Sequence, residues 1–167
     1  SLVPYAGNLT KHLMYLNIVA PLKHFPFPPL PEVYINYRNN PVLSIGDKNV
    51  VIEAIKKIPF VVSIAHVHNE ITELADIVLP EHHDLERFEL HTFPGDGDKA
   101  SGRKHIGAFL RQPVVAPLYN TMDISDIMTT LAEKAGFLDD YNKAVNKGLG
   151  LVEPYRLEPG KKYPWEE

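Results

Sequence analysis

The sequence contains no cysteine, and this absence excludes several kinds of chemistry. Disulfide bonds, thiolate metal sites, iron–sulfur ligation and cysteine nucleophiles are all impossible within this chain. The glycine fingerprint G-x-G-x-x-G and the P-loop pattern are also missing. An ordinary nicotinamide or ATP site is therefore not expected.

Charge and hydropathy point to neither a nucleic-acid partner nor a membrane. The formal net charge is -4 and no basic stripe is present, so nucleic-acid binding is not expected. No apolar run approaches the roughly 20 residues that span a bilayer. Residues 1–5 lack the charged and apolar regions of a signal peptide. We expect no direct membrane insertion, and both a cytoplasmic and a periplasmic location stay open.

The pattern of apolar residues predicts alternating strands and helices. Val33–Tyr37, Phe60–Ala65 and Ile77–Leu79 are rich in β-branched and apolar residues and are predicted strands. Asp47 is the predicted N-cap of a helix between the first two strands, and residues 69–76 form a predicted helix before the third. This β-α-β-α-β order predicts an α/β fold, a Rossmann-like layered domain with a mainly parallel sheet and flanking helices.

Further segments extend this pattern on both sides. They are a helix over 8–20, a polar loop over 91–107, a helix over 121–136 and a weaker helix from Asp139 or Asp140. Asn8 is the predicted N-cap of the first helix, and either Thr121 or Asp123 begins the helix over 121–136. The predicted buried face of the first helix consists of Leu9, Leu13, Leu16 and Ala20.

Proline marks the predicted domain limits. The chain has 167 residues and 15 prolines, which cluster near residues 26–31 and 154–164. Such segments form extended connectors rather than packed elements. We therefore divide the chain into a helix and Pro-rich connector (1–32), an α/β cofactor-binding domain (33–138) and a C-terminal helix with an extended tail (139–167). Because the first residue is not Met, we expect a piece of a larger protein.

Several short motifs together carry a family resemblance. They are Asn40-Pro41, Glu70-Ile71-Thr72, Ala75-Asp76-Ile77-Val78-Leu79-Pro80, Leu85-Glu86-Arg87 and Gln112-Pro113-Val114-Val115. Between Val33 and Gly136 the chain resembles the molybdopterin oxidoreductase family, also called the dimethyl sulfoxide reductase family. The sequence departs from the family pattern after the second strand, where the family usually has Glu-Thr-Ala.

The resemblance implies a role inside a large catalytic subunit. Members of this family bind two pterin–guanine dinucleotides around molybdenum or tungsten, and this chain looks like an internal Rossmann-like domain of such a subunit. The implied cofactor is molybdopterin guanine dinucleotide, with no iron–sulfur cluster in this chain and with the metal ligand outside it. The implied partners are the remaining domains of the catalytic subunit and an iron–sulfur electron-transfer subunit.

The resemblance also selects candidate cofactor-binding residues. They are Asn39, Asn40, Ser44, His66, His68, Asn69, Glu70 and Gln112. Asn39 and Asn40 leave the first strand where a dinucleotide phosphate or ribose is expected, and their amides supply donors and acceptors without charge. Ser44 and the backbone N–H groups near Asp47 suit an anionic group. The alternative is that these residues form a capped turn.

Polar residues also follow the second strand, the usual position for nucleotide specificity. Glu70 is a candidate acceptor for a guanine amino edge, and His66 is a candidate for stacking on the base. The alternative is that Asn69 caps the next helix and the histidines are solvated. Gln112 and the neighbouring Arg111 are candidates for contact with a cofactor phosphate or another domain, with a plain surface position as the alternative.

Three charged residues are assigned structural roles. Asp76 is expected to bind backbone N–H groups at the entry of a strand. Glu86 and Arg87 are expected to form an ion pair that fixes the following loop. No residue of this chain is assigned a catalytic or metal-binding role.

Two other functions stay open at this point. His66-x-His68, with His82-His83-Asp84 and His91, has ligands that suit a zinc or iron hydrolase, although Asn69-Glu70 departs from the metallo-β-lactamase pattern. A non-catalytic scaffold domain of a respiratory-complex subunit is the other alternative. In that case protein side chains are expected to fill the polar crevice at the strand ends.

Overall fold

The computed structural model describes residues 7–20, 30–93 and 107–164. The chain divides into two compact units, a first unit of Ser1–Pro80 and a second unit of Glu81–Glu167. The predicted segment limits 1–32, 33–138 and 139–167 stay a prediction.

A parallel three-stranded sheet organises the first unit. Strands β1 (Val33–Tyr37), β2 (Phe60–Ala65) and β3 (Ile77–Pro80) lie side by side in that order. The central strand β2 is buried from Val61 to Ala65, because strands flank it on both sides. The α/β class and the parallel sheet are confirmed.

In the described part of the first unit, three α-helices accompany this sheet: α1 (Gly7–Val19), α2 (Pro41–Ser44) and α3 (Lys48–Lys57). The N-cap of α3 is Asp47 as predicted, since its Oδ1 accepts the backbone N–H of Asn49 at 2.8 Å. The apolar face of α3 packs into the core of this unit. The core includes Tyr15, Ile18, Val51, Ala54, Ile55 and Val61.

Helix α1 lies close to the predicted range 8–20, but its predicted N-cap and the predicted burial of Ala20 are wrong. The helix begins at Gly7, so Asn8 lies inside it rather than at the N-cap. Among the side chains of α1 that the structure describes, Tyr15, Asn17 and Ile18 are buried, Leu13 and Leu16 are half-buried, and Ala20 is exposed. The side chain of Leu9 lies outside the described residues. The tyrosine selects this face, because its hydroxyl lies 3.0 Å from that of Tyr34 in the sheet.

The helix predicted over residues 69–76 is a single 3-10 turn, Thr72–Leu74. The turn ends early because Asp76 forms hydrogen bonds to strand β2. The Asp76 carboxylate accepts the backbone N–H of Val61 at 2.8 Å, and its own N–H donates to the Val61 carbonyl at 2.9 Å. The structural role predicted for Asp76 is therefore present, and the turn delivers the chain directly into β3.

The described residues of the second unit form an antiparallel ribbon and two helices. Strands β4 (Glu89–Phe93) and β5 (Gly107–Arg111) pair with each other, whereas the sequence had predicted a loop over 91–107. The middle of that loop, 94–106, lies outside the described residues. Helices α4 (Ile124–Lys134) and α5 (Leu138–Leu149) follow. Asp123 is the N-cap of α4, one of the two predicted starts.

Two asparagines of α5 hold the segment that follows this helix. Asn142 Nδ2 donates to the carbonyls of Glu158 and Lys161 at 2.8 and 2.9 Å. Asn146 exchanges two hydrogen bonds of 2.8 Å with the backbone of Leu157. The extended segment is thereby folded back along its own helix. Within the described parts of the chain, no helix has the length and apolar character that a membrane span requires.

Candidate binding site at the strand ends

The carboxyl ends of β1 and β2 meet at one edge of the parallel sheet. Tyr37 at the end of β1 pairs with Ile64 of β2, and the backbone N–H of Arg38 extends this ladder to the Ile64 carbonyl at 3.0 Å. The polar segments 38–44 and 66–70 therefore leave the sheet side by side. We call these two segments the strand-end rim.

A left-handed residue turns the chain at this edge. Arg38 has φ 45°, a conformation that costs an L-residue about 1–2 kcal/mol. Its guanidinium lies 6.0 Å from the centre of the Tyr37 ring. Backbone strain of this kind is concentrated at binding and active sites. The turn at Arg38 directs the chain towards the end of β2, where Asn40 contacts Glu70.

A buried chain of hydrogen bonds fixes the turn from below. The Tyr34 hydroxyl donates to Asn36 Oδ1 at 3.3 Å, and Asn36 Nδ2 donates to the Asn39 carbonyl at 2.7 Å. Burial raises the pKa of both Tyr15 and Tyr34, so their hydroxyls stay protonated and can donate. The sequence interpretation missed this support, although one asparagine in an otherwise apolar and aromatic strand was its signal.

The two halves of the rim are joined by Asn40 and Glu70. Asn40 Nδ2 donates to Glu70 Oε2 at 2.6 Å. This hydrogen bond is the main cause that lowers the pKa of Glu70, and the Glu70 backbone N–H adds to it. The other side-chain atom of the amide, Asn40 Oδ1, is buried and has no hydrogen-bond partner. The rim thus contains an ionised carboxylate and an unsatisfied amide oxygen.

Ser44 and Asn39 are occupied within the turn. The Ser44 hydroxyl donates to the Asn40 carbonyl at 2.8 Å, and it lies 3.5 Å from Asn39 Oδ1. The same Asn40 carbonyl accepts the backbone N–H groups of Leu43 and Ser44. These contacts close the turn, whereas the side chain of Asn40, the N-cap residue of α2, makes no capping hydrogen bond.

After β2, Asn69 is bonded to Thr72, and two histidines are exposed. Asn69 Oδ1 accepts the Thr72 backbone N–H at 3.3 Å, while Thr72 Oγ1 accepts the Asn69 N–H at 2.9 Å. This reciprocal pair ties the segment after β2 to Thr72, the first residue of the short 3-10 turn. His66 and His68 are exposed, and His68 Nδ1 lies 3.1 Å from Thr72 Oγ1. Asn69 therefore has a structural role, and the imidazoles lie on the surface.

Gln112 is the predicted site residue that does not belong to the rim. It follows β5 in the second unit, and its side chain is exposed. The neighbouring Arg111 is engaged with acidic side chains, because it hydrogen-bonds Glu89 and lies 3.4 Å from Asp84. The ion pair predicted between Glu86 and Arg87 does not form, because each side chain has other partners.

Arg87 and Glu86 have different environments. The Arg87 guanidinium is buried and pairs with Glu81 and Glu89, both at 2.7 Å. The Glu86 carboxylate accepts the backbone N–H groups of His83 and Leu118 at 2.8 and 3.1 Å. These bonds lower the pKa of Glu86, which is ionised at neutral pH.

The hydrolase alternative requires clustered metal ligands. In the described ranges, no group of three or more histidine, aspartate and glutamate side chains is arranged to hold a metal ion. The side chain of His91, one of the residues considered for that site, lies outside the described residues.

Comparisons with known proteins support the fold. No protein-family model matches the sequence. No curated protein sequence matches it either. Among solved structures, acetylene hydratase from Pelobacter acetylenicus is similar, with a TM-score of 0.58 and 17% sequence identity. The match covers 84% of this chain and 19% of that chain, so the two share a fold over about one fifth of the larger protein.

Proposed function

We propose that this chain is a cofactor-binding domain of a molybdenum- or tungsten-dependent oxidoreductase. Its role is to hold one guanine dinucleotide arm of the pterin cofactor at the strand-end rim. The fold shared with a segment of acetylene hydratase and the motif resemblance described above both favour this function. The activity belongs to a larger assembly, and the isolated chain is expected to turn over no redox substrate.

The contact between Asn40 and Glu70 is the observation that carries the proposal. Ligands of open α/β folds bind in the crevice at the carboxyl ends of the strands. The 2.6 Å hydrogen bond brings polar groups from two adjacent strand ends to one point of that crevice. A single planar ligand edge can therefore contact both segments of the rim.

The donor and acceptor set of the rim suits a guanine nucleotide. Glu70 is ionised and accepts N–H donors, the groups that the guanine edge presents. The buried and unpartnered Asn40 Oδ1 is a second acceptor whose desolvation a bound donor would offset. When bound, the metal–pterin group supplies the redox chemistry, while this chain supplies orientation and hydrogen bonds.

A scaffold domain without cofactor is the second candidate, and a specific observation favours it. The Ser44 hydroxyl donates to the Asn40 carbonyl, Asn69 Oδ1 accepts the backbone N–H of Thr72, and Thr72 Oγ1 donates to the Asn69 carbonyl. Polar side chains that are already satisfied by nearby backbone groups are what a non-catalytic relative is expected to show. The two candidates differ in whether a guanine nucleotide competes for Asn40 and Glu70.

A titration with guanosine diphosphate distinguishes these functions. We expect added nucleotide to shift the backbone amide NMR signals of residues 38–44 and 66–70, saturating near a Kd of about 1 mM, which corresponds to roughly -4 kcal/mol. Adenosine diphosphate should bind more weakly, because its base edge presents a different donor pattern. Absence of saturable shifts up to about ten times that Kd contradicts cofactor binding and supports the scaffold.

Matched variants locate the binding site. Asn40→Ala should weaken guanosine diphosphate binding, since it removes both the amide donor and the buried acceptor. Asn120→Ala, an exposed asparagine of the second unit, should leave the binding unchanged. Equal affinity in the two variants would place the nucleotide away from the rim.

A further inference from the structure

The second unit has a cleft that the proposed function does not use. Its volume is about 400 Å³, which lies within the range of ligand-binding pockets. Its lining includes His82, Glu86, Phe88, Pro113, Val115 and Pro117. One wall is thus apolar, and a carboxylate lies among the lining residues.

The wall and the carboxylate are fixed to each other by backbone hydrogen bonds. The N–H groups of Val114 and Val115 both donate to the Leu85 carbonyl, at 2.8 and 3.2 Å. Glu86 Oε1 accepts the N–H of Leu118 at 3.1 Å, so its side chain also holds this segment. The cleft is therefore a built feature, and little ordering is needed when a ligand enters it.

Glu86 is the carboxylate in the lining of the cleft, where His82 also lies. Residues 112–122 carry no charged side chain. Glu86 is ionised, and among the described residues no lysine or arginine forms an ion pair with it. Each carboxylate oxygen has one backbone donor and retains further acceptor capacity.

The cleft continues into an exposed apolar strip. Val114, Leu118 and Tyr119 are 75%, 74% and 81% exposed. Contiguous exposed apolar side chains with a polar border are typical of protein interaction sites. These side chains make the apolar surface larger than a small cation alone could cover.

We propose that this cleft docks an arginine of a partner polypeptide, flanked by apolar side chains. The guanidinium pairs with Glu86, whose two oxygens match its planar fork. The aliphatic stem of the arginine lies along the proline and valine wall. The apolar neighbours of the arginine cover Val114, Leu118 and Tyr119. Charge complementarity selects this occupant over an acidic or a purely apolar one.

The probe is the peptide acetyl-Ala-Leu-Arg-Leu-Ala-amide, titrated into the 167-residue chain. We expect saturable NMR shifts confined to the amides of residues 82–88 and 114–119. The same peptide with citrulline in place of arginine should bind about tenfold more weakly, because the charge-assisted hydrogen bonds are lost. Equal binding of the two peptides, or no shifts with either, overturns the proposal.

Two variants keep the test decisive if one of them fails to fold. Glu86→Gln should reduce affinity for the arginine peptide about tenfold, whereas Val114→Lys should repel the peptide without touching a buried group. Val152→Lys is the matched control, since Val152 is 69% exposed and does not line the cleft. Unchanged affinity in Val114→Lys contradicts the proposed surface. The proposal is also contradicted if the same NMR shifts appear without peptide as the protein concentration rises. A second copy of the chain would then be the occupant of the cleft.

Discussion

Replacement of Arg87 by methionine is predicted to destabilise the second unit strongly. The guanidinium is 4% exposed and lies 2.7 Å from Glu81, whose side chain is fully buried. The substitution leaves this carboxylate without its charged partner, a change that costs about 3–5 kcal/mol. Domains of this size have a free energy of unfolding of only about 5–15 kcal/mol. A large share of the stability of the unit should be lost.

Urea unfolding followed by circular dichroism measures this loss. With a denaturant slope of about 2 kcal/mol/M, the expected loss moves the midpoint down by roughly 2 M. The control is Lys162→Met, which removes a partly exposed ion pair with Glu133 at 3.3 Å and should cost less than about 1 kcal/mol. The double variant Arg87→Met/Glu81→Leu should recover much of the stability, because no unpaired Glu81 charge then remains. A double variant as unstable as the summed single variants would refute this reasoning.

Three further predictions concern the first unit. Asp76→Ala should lower the free energy of unfolding by about 1–3 kcal/mol in a thermal melt, because it leaves the buried N–H of Val61 unsatisfied. An unchanged melting temperature would contradict a stabilising bond between Asp76 and Val61. Arg38→Gly should be more stable than Arg38→Ala by about 1 kcal/mol, since only glycine relieves the positive φ, and equal melting temperatures would argue against strain at this turn. Asn40→Ala should raise the pKa of Glu70 towards its ordinary value in an NMR titration of the carboxyl group. In the unsubstituted chain the pKa of Glu70 is lower in the folded state than in the unfolded state. The hydrogen bond from Asn40 therefore stabilises the fold above the unfolded-state pKa of Glu70, and this stabilisation is lost as the pH falls through the folded-state pKa.

Local residue patterns were sufficient to predict the parallel sheet. The starts and ends of β1 and β2 match the predicted limits, because runs of β-branched and aromatic residues favour strands. The N-cap Asp47 was predictable for a similar reason, since its side chain bonds the backbone only two residues away. These features depend on short-range interactions that a sequence pattern contains.

The errors arise where distant residues decide the conformation. Residues 69–76 have helical spacing, but the bond from Asp76 to Val61 of the adjacent strand stops the helix after one turn. The choice of ion partner also depends on tertiary structure. Arg87 pairs with Glu81 and Glu89 rather than with its neighbour Glu86, whose carboxylate instead accepts the backbone N–H groups of His83 and Leu118.

The rim was predictable as a location but not in its contacts. Asn40 and Glu70 follow adjacent predicted strands, and parallel strand ends share one edge, so their proximity followed from the predicted topology. The support from Tyr15 and Asn36 required knowledge of which helix face meets the sheet. Gln112 was grouped with the rim by motif resemblance, and its contact with a cofactor stays a prediction.

The side-chain amide signals of Asn40 provide the most direct measurement of cofactor binding. We predict that they shift progressively as guanosine diphosphate is added, and that Glu70→Gln weakens this response. If the Asn40 signals stay unchanged at saturating nucleotide, while its bond to Glu70 persists, the strand-end rim does not hold a guanine dinucleotide.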